Sequence, residues 1–397
     1  MNGTFVLRIE DTNAELAKPE FYDAITEPLK WLGLQWDEGP FYQSQRSEKY
    51  LEAINALLEK GFAYRCDCSR ESIESRNKVN GFKGGYDGYC RNREVQDGPN
   101  VSIRFKTPKN QFVKIRDSIR GDVTFDTNEL EDFIIRRSNG TPVFLVANAV
   151  DDADMGITHV IRGEDLLNTT PKVMLMWEAL DYGHPPEYAH LPLLVGEDKK
   201  KLSKRKHSVA LGEFQTMGIL PEAMVNYLAL LGWGPHDDKE IRPVEEIAAL
   251  FSLKDINKAP AYFDMKKLFH INGEYIRALS PEAFSEIATQ YFQLTGWQPE
   301  NLDLHVISDL SSSIQERIEK LADIVQLVDW LFNEEPAVET DPKEMKKILK
   351  SMSADKVADV LDLAIQQLEK CDWNEEAIGE TINAVSYTHL RAHETRT

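Results

Sequence analysis

A change of texture at residues 62–145 constrains the architecture of this chain more than any other feature. On either side of it, short apolar runs alternate with helical patterns. The segment itself is rich in Gly turns and short alternating runs such as VSIRF and FVKIRD. One α/β unit interrupted by a small β-containing insertion accounts for this pattern. Ahead of the interruption, FVLRIEDT reads as a buried strand running into a polar loop. A helix is expected from Pro19 to Leu32, with Pro19 in its first turn and Gly33 just past its end. A second is expected from about Ser47 to Lys60, where Tyr50, Leu51, Ile54, Leu57 and Leu58 make one apolar face and Gly61 stops it. The last piece of the insertion, DFIIRRSNGTPVFLVANAV, carries Asn139-Gly140 between two strand-like runs and predicts a β-hairpin.

Residues 146–205 return to α/β alternation, with PKVMLMWEAL as a helix and AHLPLLVG as a buried strand leading into a basic loop. After about residue 206 the chain turns helical, as PEAMVNYLALLGW and PEAFSEIATQYFQLTGW show by their apolar spacing, and residues 310–384 are acidic and helical throughout. At 397 residues the chain has room for two or three domains. VSYTHLRAHET at 385–395 resembles the translation of a sequencing-library adaptor and interrupts a helical stretch without a capping signal, so it is set apart from the fold. His389 and His393, spaced like a metal-binding face, belong to that tail.

Charge narrows the range of partners. With 46 Lys and Arg against 66 Asp and Glu, the formal net charge of −20 repels nucleic acid at long range, so a polyanion must be met by local cationic clusters. One such cluster is KKKLSKRKHS at 199–208. After a buried strand, a loop carrying Lys201, Lys204 and Arg205 offers cations to phosphates and can follow charge onto a leaving pyrophosphate; a solvated basic patch is the alternative reading of the same run. No apolar run reaches membrane-spanning length and MNGTFVLRIEDT lacks a signal-peptide layout, so the sequence reads as cytoplasmic. Of four cysteines, Cys66, Cys68 and Cys90 share one short segment while Cys371 stands apart, which points to a metal before a disulfide.

KLSKR at 201–205 resembles the second signature of class I aminoacyl-tRNA synthetases in its glutamyl-type form. LRIEDT at 7–12, NAVDDADMGITHVIRGEDLL at 148–167, HLPLL at 190–194, GILPEAMVNYLALLGW at 218–233 and FDMKKLFHINGEYIR at 263–277 are similar to bacterial glutamyl-tRNA synthetases in the same order. The resemblance covers about residues 1–384. It implies a Rossmann-type α/β catalytic domain in two parts, 1–61 and 146–205, separated by an α+β acceptor-binding insertion at 62–145. A stem-contact helical region at 206–285 and an all-α anticodon-binding region at 286–384 follow, with 385–397 as the adaptor-like tail.

The implied reaction is ATP-dependent activation of L-glutamate to glutamyl-adenylate, then transfer to the terminal adenosine of tRNA(Glu), with Mg2+ as the divalent partner and no protein nucleophile. Glutamate presents two carboxylates and an ammonium, so its pocket needs a cation and an anion; Arg162 can grip a carboxylate with its two-pronged guanidinium and Glu10 can pair with the ammonium. The resemblance assigns those positions to glutamate, together with the segment from Phe144 to Asn148. It places Asp165 and Leu194 near ATP, and Lys201, Ser203, Lys204 and Arg205 over its phosphates. A structural ion pair of Arg162 with Glu164 or Asp165 is the competing reading. Phe144 stands where many relatives carry tyrosine, which removes a hydroxyl, and Asn13 replaces the usual aspartate after RIEDT.

Cys66-Asp67-Cys68 with Tyr86-Asp87-Gly88-Tyr89-Cys90 resembles the zinc motif in the insertion of glutamyl-type synthetases, with Tyr86 as the fourth ligand because Asn92 replaces a histidine. Three reduced cysteines without metal remain the alternative. His184 and His190 read as ordinary loop and strand residues, and NYLALLGWG as core. The first class I signature, usually His-Ile-Gly-His, does not occur in the sequence. The expectation is therefore a gene fragment that lacks the first Rossmann strand and its helix and is deficient in full aminoacylation. Rival readings are glutaminyl-tRNA synthetase, whose usual RFDDTN differs from RIEDTN here; the short enzyme that glutamylates queuosine in tRNA; and a non-catalytic tRNA-binding paralogue. A monomer is the expectation from the family.

Overall fold

The computed structural model describes residues 3–12, 19–81, 84–196, 210–234, 239–297, 304–332 and 353–386, together with 237, 343, 346, 349 and 350. The chain forms two compact units, Met1–Val328 and Asp329–Thr397. In the first, strand β1 (Val6–Ile9), helix α1 (Pro19–Trp31) and strand β2 (Glu38–Tyr42) make a parallel β-α-β unit, with Ile9 opposite Tyr42. Gly39 is required there: its φ of +105° is left-handed, and a Cβ would stand 2.3 Å from the Leu7 carbonyl oxygen. Helix α2 (Ser47–Glu59) then buries Tyr50, Ile54 and Leu57, the apolar face expected from its spacing. These residues pack on Ile103, Phe105, Ile135, Val146 and Met176 in the main core.

The insertion holds an antiparallel sheet of order β3-β4-β7, formed by β3 (Ala63–Cys66), β4 (Ser102–Phe105) and β7 (Ile134–Arg136). Helix α3 (Arg70–Asn80) follows β3; the Ser69 hydroxyl caps its first turn and Gly81, at φ +72°, ends it. A hairpin of β5 (Phe112–Asp117) and β6 (Gly121–Asp126) also lies within 62–145, yet it joins the following α/β layer. Asp117 pairs with Tyr188 of β9 (Glu187–Leu191), and β9 runs parallel to β8 (His159–Gly163), giving the order β6-β5-β9-β8.

The hairpin predicted at Asn139-Gly140 is only half formed. Gly140 turns the chain at φ +86° and Arg136 bridges Pro142. The following run is then a helix, α4 (Phe144–Asp154), rather than a second strand. Every side chain from Leu145 to Asp152 is buried. Apolar residues all round cannot be told from a strand by periodicity, and the alanines and two adjacent carboxylates fit a helix packed on all sides.

After helix α5 (Thr170–Ala179), the run AHLPLLVG forms two strands instead of one. Pro192, which lacks an N–H, separates β9 from β10 (Leu194–Val195), and β10 pairs with β11 (Ala261–Tyr262). Helices α6 (Leu211–Thr216), α7 (Pro221–Leu230), α8 (Val244–Leu250), α9 (Met265–Arg277) and α10 (Pro281–Thr295) continue the unit. Tyr227 and Trp233 are core residues, as read from NYLALLGWG. Asn272, fully buried on α9, accepts from Leu220 N and donates to Gly218 O and Glu319 O, which ties three segments together. The second unit contains helices Ala354–Leu368 and Glu375–Ser386, the former capped by Ser353. No helix among the described residues is long and apolar enough to cross a membrane.

Gly218 provides a test of this packing. It has φ +82°, and a Cβ there would lie 2.5 Å from Leu321 N and 2.8 Å from Ala322 N, both backbone atoms. Gly140 has a similar φ but nothing within 4 Å. Gly218→Ala is expected to lower stability by about 3 kcal/mol or more, and Gly140→Ala by about 1 kcal/mol, measured by urea unfolding. Equal losses would remove the argument that Leu321 backs onto Gly218.

Candidate active site

Two strand ends supply the central residues. Glu10 follows the carboxyl end of β1, while Arg162 and Asp165 lie at and just beyond that of β8, the position where open α/β sheets bind ligands. Arg162 is half-buried. Burial pulls its pKa below the ordinary guanidinium value, against the opposing influence of Tyr188, Asp152, Glu10 and Asp165. A guanidinium stays protonated even so; near neutral pH the opposing charges are those of Asp152, Glu10 and Asp165, since burial pushes the Tyr188 phenol up to about 12.

The orientation of Arg162 is set from below. Its register partner across the strand pair is His190. Arg162 Nε donates to His190 Nε2 at 3.2 Å, and Nη2 donates to the Thr170 hydroxyl at 2.8 Å. Glu164, one of the acids considered as its ion-pair partner, instead pairs with Arg120. The Tyr188 ring lies 5.6 Å from the guanidinium carbon. Asn148, buried on α4, accepts from Gln43 Nε2 at 2.9 Å. Phe144 is the first residue of α4 and partly buried, and Leu194 is partly exposed on β10. Lys201, Ser203, Lys204 and Arg205 lie outside the described residues.

Sequence reasoning missed the buried charges beneath this site. Asp151 is fully buried and accepts from Arg46 Nε at 2.7 Å and from the Tyr50 hydroxyl at 2.7 Å. Arg8 Nη2 pairs with Asp152 at 2.8 Å. Burial raises the Asp152 pKa although Arg8 opposes it. The available signal was two consecutive aspartates inside an otherwise apolar run. His190, read as an ordinary strand residue, does lie on a strand, but its fully buried ring also contacts Asp117 at 2.6 Å.

The Sγ atoms of Cys66, Cys68 and Cys90 lie within 4.8 Å of one another, and the Tyr86 hydroxyl is 3.5 Å from Cys66 Sγ. Cys66 and Cys68 leave the end of β3, and Cys90 is brought back by a turn in which its N–H donates to the Tyr86 hydroxyl. Each sulfur also receives a guanidinium: Arg104 at Cys66, Arg76 at Cys68 and Arg93 at Cys90, at 3.3–3.4 Å. Burial opposes ionisation of Cys66, but hydrogen bonds from Tyr86, Cys68 and Arg104 outweigh it and lower the thiol's pKa. Zinc–thiolate bonds of about 2.3 Å in a tetrahedron place sulfurs about 3.8 Å apart; Cys68 and Cys90 Sγ are 3.5 Å apart and all three sulfurs fall within 4.8 Å, close enough for one ion to draw them together.

Comparison with known proteins places the chain in a family. The family model for tRNA synthetases class I (E and Q), catalytic domain, matches residues 1–270, and that for an anticodon binding domain matches 259–389. A glutamate–tRNA ligase of Thermobifida fusca is 43% identical over 392 residues, covering 97% of this chain and 80% of that protein. One from Legionella pneumophila is 38% identical, with 97% and 81% covered. The crystal structure of a glutamate tRNA ligase from Elizabethkingia meningosepticum, in complex with its amino acid, superposes with a TM-score of 0.78 at 28% identity, covering 97% of this chain and 84% of that one. With the catalytic model matching most of its length and these relatives nearly all of it, the chain belongs to the class I tRNA synthetases, and within them to the glutamate–tRNA ligases.

Proposed function

We propose that Arg162 holds the side-chain carboxylate of L-glutamate and Glu10 its ammonium, with Phe144 and Asn148 lining the same pocket. The observation that carries this reading is the placing of half-buried Arg162 at the carboxyl end of β8, near Glu10 and Asp165 beyond strand ends and Asp152 on α4, whose charges only partly offset its burial. A ligand carboxylate would complete that balance. ATP would lie along Asp165 and Leu194, and Lys201, Ser203, Lys204 and Arg205 would meet its phosphates. The glutamate α-carboxylate would attack the α-phosphorus, pyrophosphate leaving, and the terminal adenosine of tRNA(Glu) would then take the glutamyl group with release of AMP. Positioning and charge neutralisation supply the acceleration, and Mg2+ adds positive charge at the phosphates when bound. The insertion at 62–145 would receive the acceptor arm, 206–285 the stem and 286–384 the anticodon end, with the chain acting as a cytoplasmic monomer.

In the insertion, Cys66, Cys68, Cys90 and Tyr86 would hold one structural zinc. The four donors come from two segments, so the ion would fasten the end of β3 to the loop after α3.

Calorimetric titration tests the pocket. L-Glutamate should bind at least about tenfold more tightly than L-glutamine, and Arg162→Ala should weaken glutamate by about 30-fold, the equivalent of about 2 kcal/mol for a charge-assisted contact. Equal affinity for the two amino acids would sink the assignment. For the metal, atomic absorption on protein purified under reducing conditions should find one zinc per chain. Cys66→Ser should lose it, and Tyr86→Phe should release it about tenfold more readily to a chelator. Metal-free protein with all four side chains intact would show that the thiols stand alone.

A further inference from the structure

We propose that His190, held in one tautomer by Asp117, is a positioning residue that fixes the Arg162 guanidinium for a ligand carboxylate and thereby sets the preference for glutamate over glutamine. The inference rests on the assignment of Arg162 to the glutamate carboxylate. Three adjacent strands bring the residues together: Arg162 on β8 lies opposite His190 on β9, and Asp117 on β5, opposite Tyr188 of β9, reaches the His190 ring with its side chain. The Asp117 and His190 side chains are both fully buried, so water cannot replace either partner.

The hydrogen bonds determine where the imidazole proton sits. Asp117 accepts from the backbone N–H groups of Ile119 at 2.9 Å and Arg120 at 2.7 Å, and from His190 N at 3.1 Å. Despite burial, these donors and the His190 ring hold its carboxyl below the ordinary carboxylate range. An ionised carboxylate 2.6 Å from Nδ1 requires a proton on Nδ1. On the other side, a guanidinium has donors only, so Nε2 must accept from Arg162 Nε. Both demands select one neutral tautomer. Burial and the cations Arg162 and Arg120 depress the His190 pKa against the attraction of Asp117. Tyr188, stacked 6.0 Å away, is the other titratable group facing the ring.

The consequence for Arg162 is geometric. Nε is committed to His190 and Nη2 to Thr170, while Nη1 has no hydrogen-bond partner among the described residues. A guanidinium held by two of its nitrogens cannot swing to suit an amide ligand. Protonation of His190 would put an N–H against the Arg162 Nε–H and bring two cations together. Glutamate affinity should therefore hold above about pH 6.5, the ordinary histidine value, and fall as the pH drops through the depressed value of His190.

Calorimetry on the full chain with L-glutamate, L-glutamine and ATP, alongside thermal unfolding, tests this. His190→Asn can still face Asp117 but loses the acceptor at Nε2. It should bind glutamate at least tenfold more weakly, narrow the preference over glutamine, and leave ATP affinity within twofold. His190→Gln, whose amide oxygen reaches the Nε2 position, should recover glutamate binding to within about threefold of the unmodified chain. Because a buried substitution can impair folding, 15N NMR of histidine-labelled unmodified protein gives a second reading: Nδ1 protonated, Nε2 unprotonated, and an Nε2 shift on adding glutamate. Unchanged glutamate affinity and pH profile in both variants, or an Nε2-protonated ring, would overturn the positioning role while leaving the pocket intact. An unmodified chain that binds no glutamate would overturn the pocket assignment and this inference together.

Discussion

Two adjacent aspartates near the end of a buried helix set the terms for the rest of the catalytic unit. Buried carboxylates need cationic partners, and for Asp151 and Asp152 those come from distant parts of the chain: Arg8 on β1 and Arg46 just before α2. Lys49 and Arg46 add a contact to Asp154 at the end of the same helix. These bonds therefore clamp residues 6–59 onto residues 144–154 across the whole insertion. Removing one partner of such a buried pair costs about 3–5 kcal/mol, since the other is left uncompensated. The gain from such a clamp is a defined arrangement more than net stability, because a hydrophobic contact of the same size would stabilise the unit as well.

That arrangement governs the site. Asp152 acts on Arg8 by direct pairing and on Arg162 through space, so the same carboxylate that anchors β1 also contributes to the field around the candidate substrate cation. Arg8 and Glu10 lie two apart on and just beyond β1; the anchoring of the first therefore fixes the register at which the second leaves the strand. A shift of one residue would exchange inward and outward side chains and remove both functions at once.

Features encoded by local chemistry were legible in the sequence. Helices α1 and α2 begin and end where Pro19, Gly33 and Gly61 indicated, and VSIRF and FVKIRD became β4 and β5. The candidate pocket residues Glu10, Asn148, Arg162 and Asp165 were named from ordered motifs, and the cysteines from their spacing. Features that depend on contacts between remote segments were not legible. The pairing of Asp117 with His190, or of Arg46 with Asp151, has no periodicity to betray it. Helix α4 was misread because a segment buried on every face carries neither the 3.6-residue nor the 2-residue pattern that distinguishes helix from strand. The role of the 62–145 hairpin in the β8–β9 sheet was hidden for the same reason: sheet order is a property of long-range pairing.

The acidic character of the chain bears on how a carboxylate could be selected at all. With a net charge of −20, attraction at a distance works against an anionic ligand. Selection must then come from a short-range deficit. Burial weighs against the Arg162 guanidinium, and the charges of Asp152, Glu10 and Asp165 only partly oppose it. On the assignment proposed for Arg162, a ligand carboxylate would supply opposing charge and a charge-assisted contact, whereas a neutral amide would supply only a dipole. Sites of this kind reject the analogue that lacks the expected group more strongly than apolar pockets reject an added methylene. The rejection lasts only while the cation cannot relax toward another partner, which is why the rigid support beneath Arg162 matters as much as its charge.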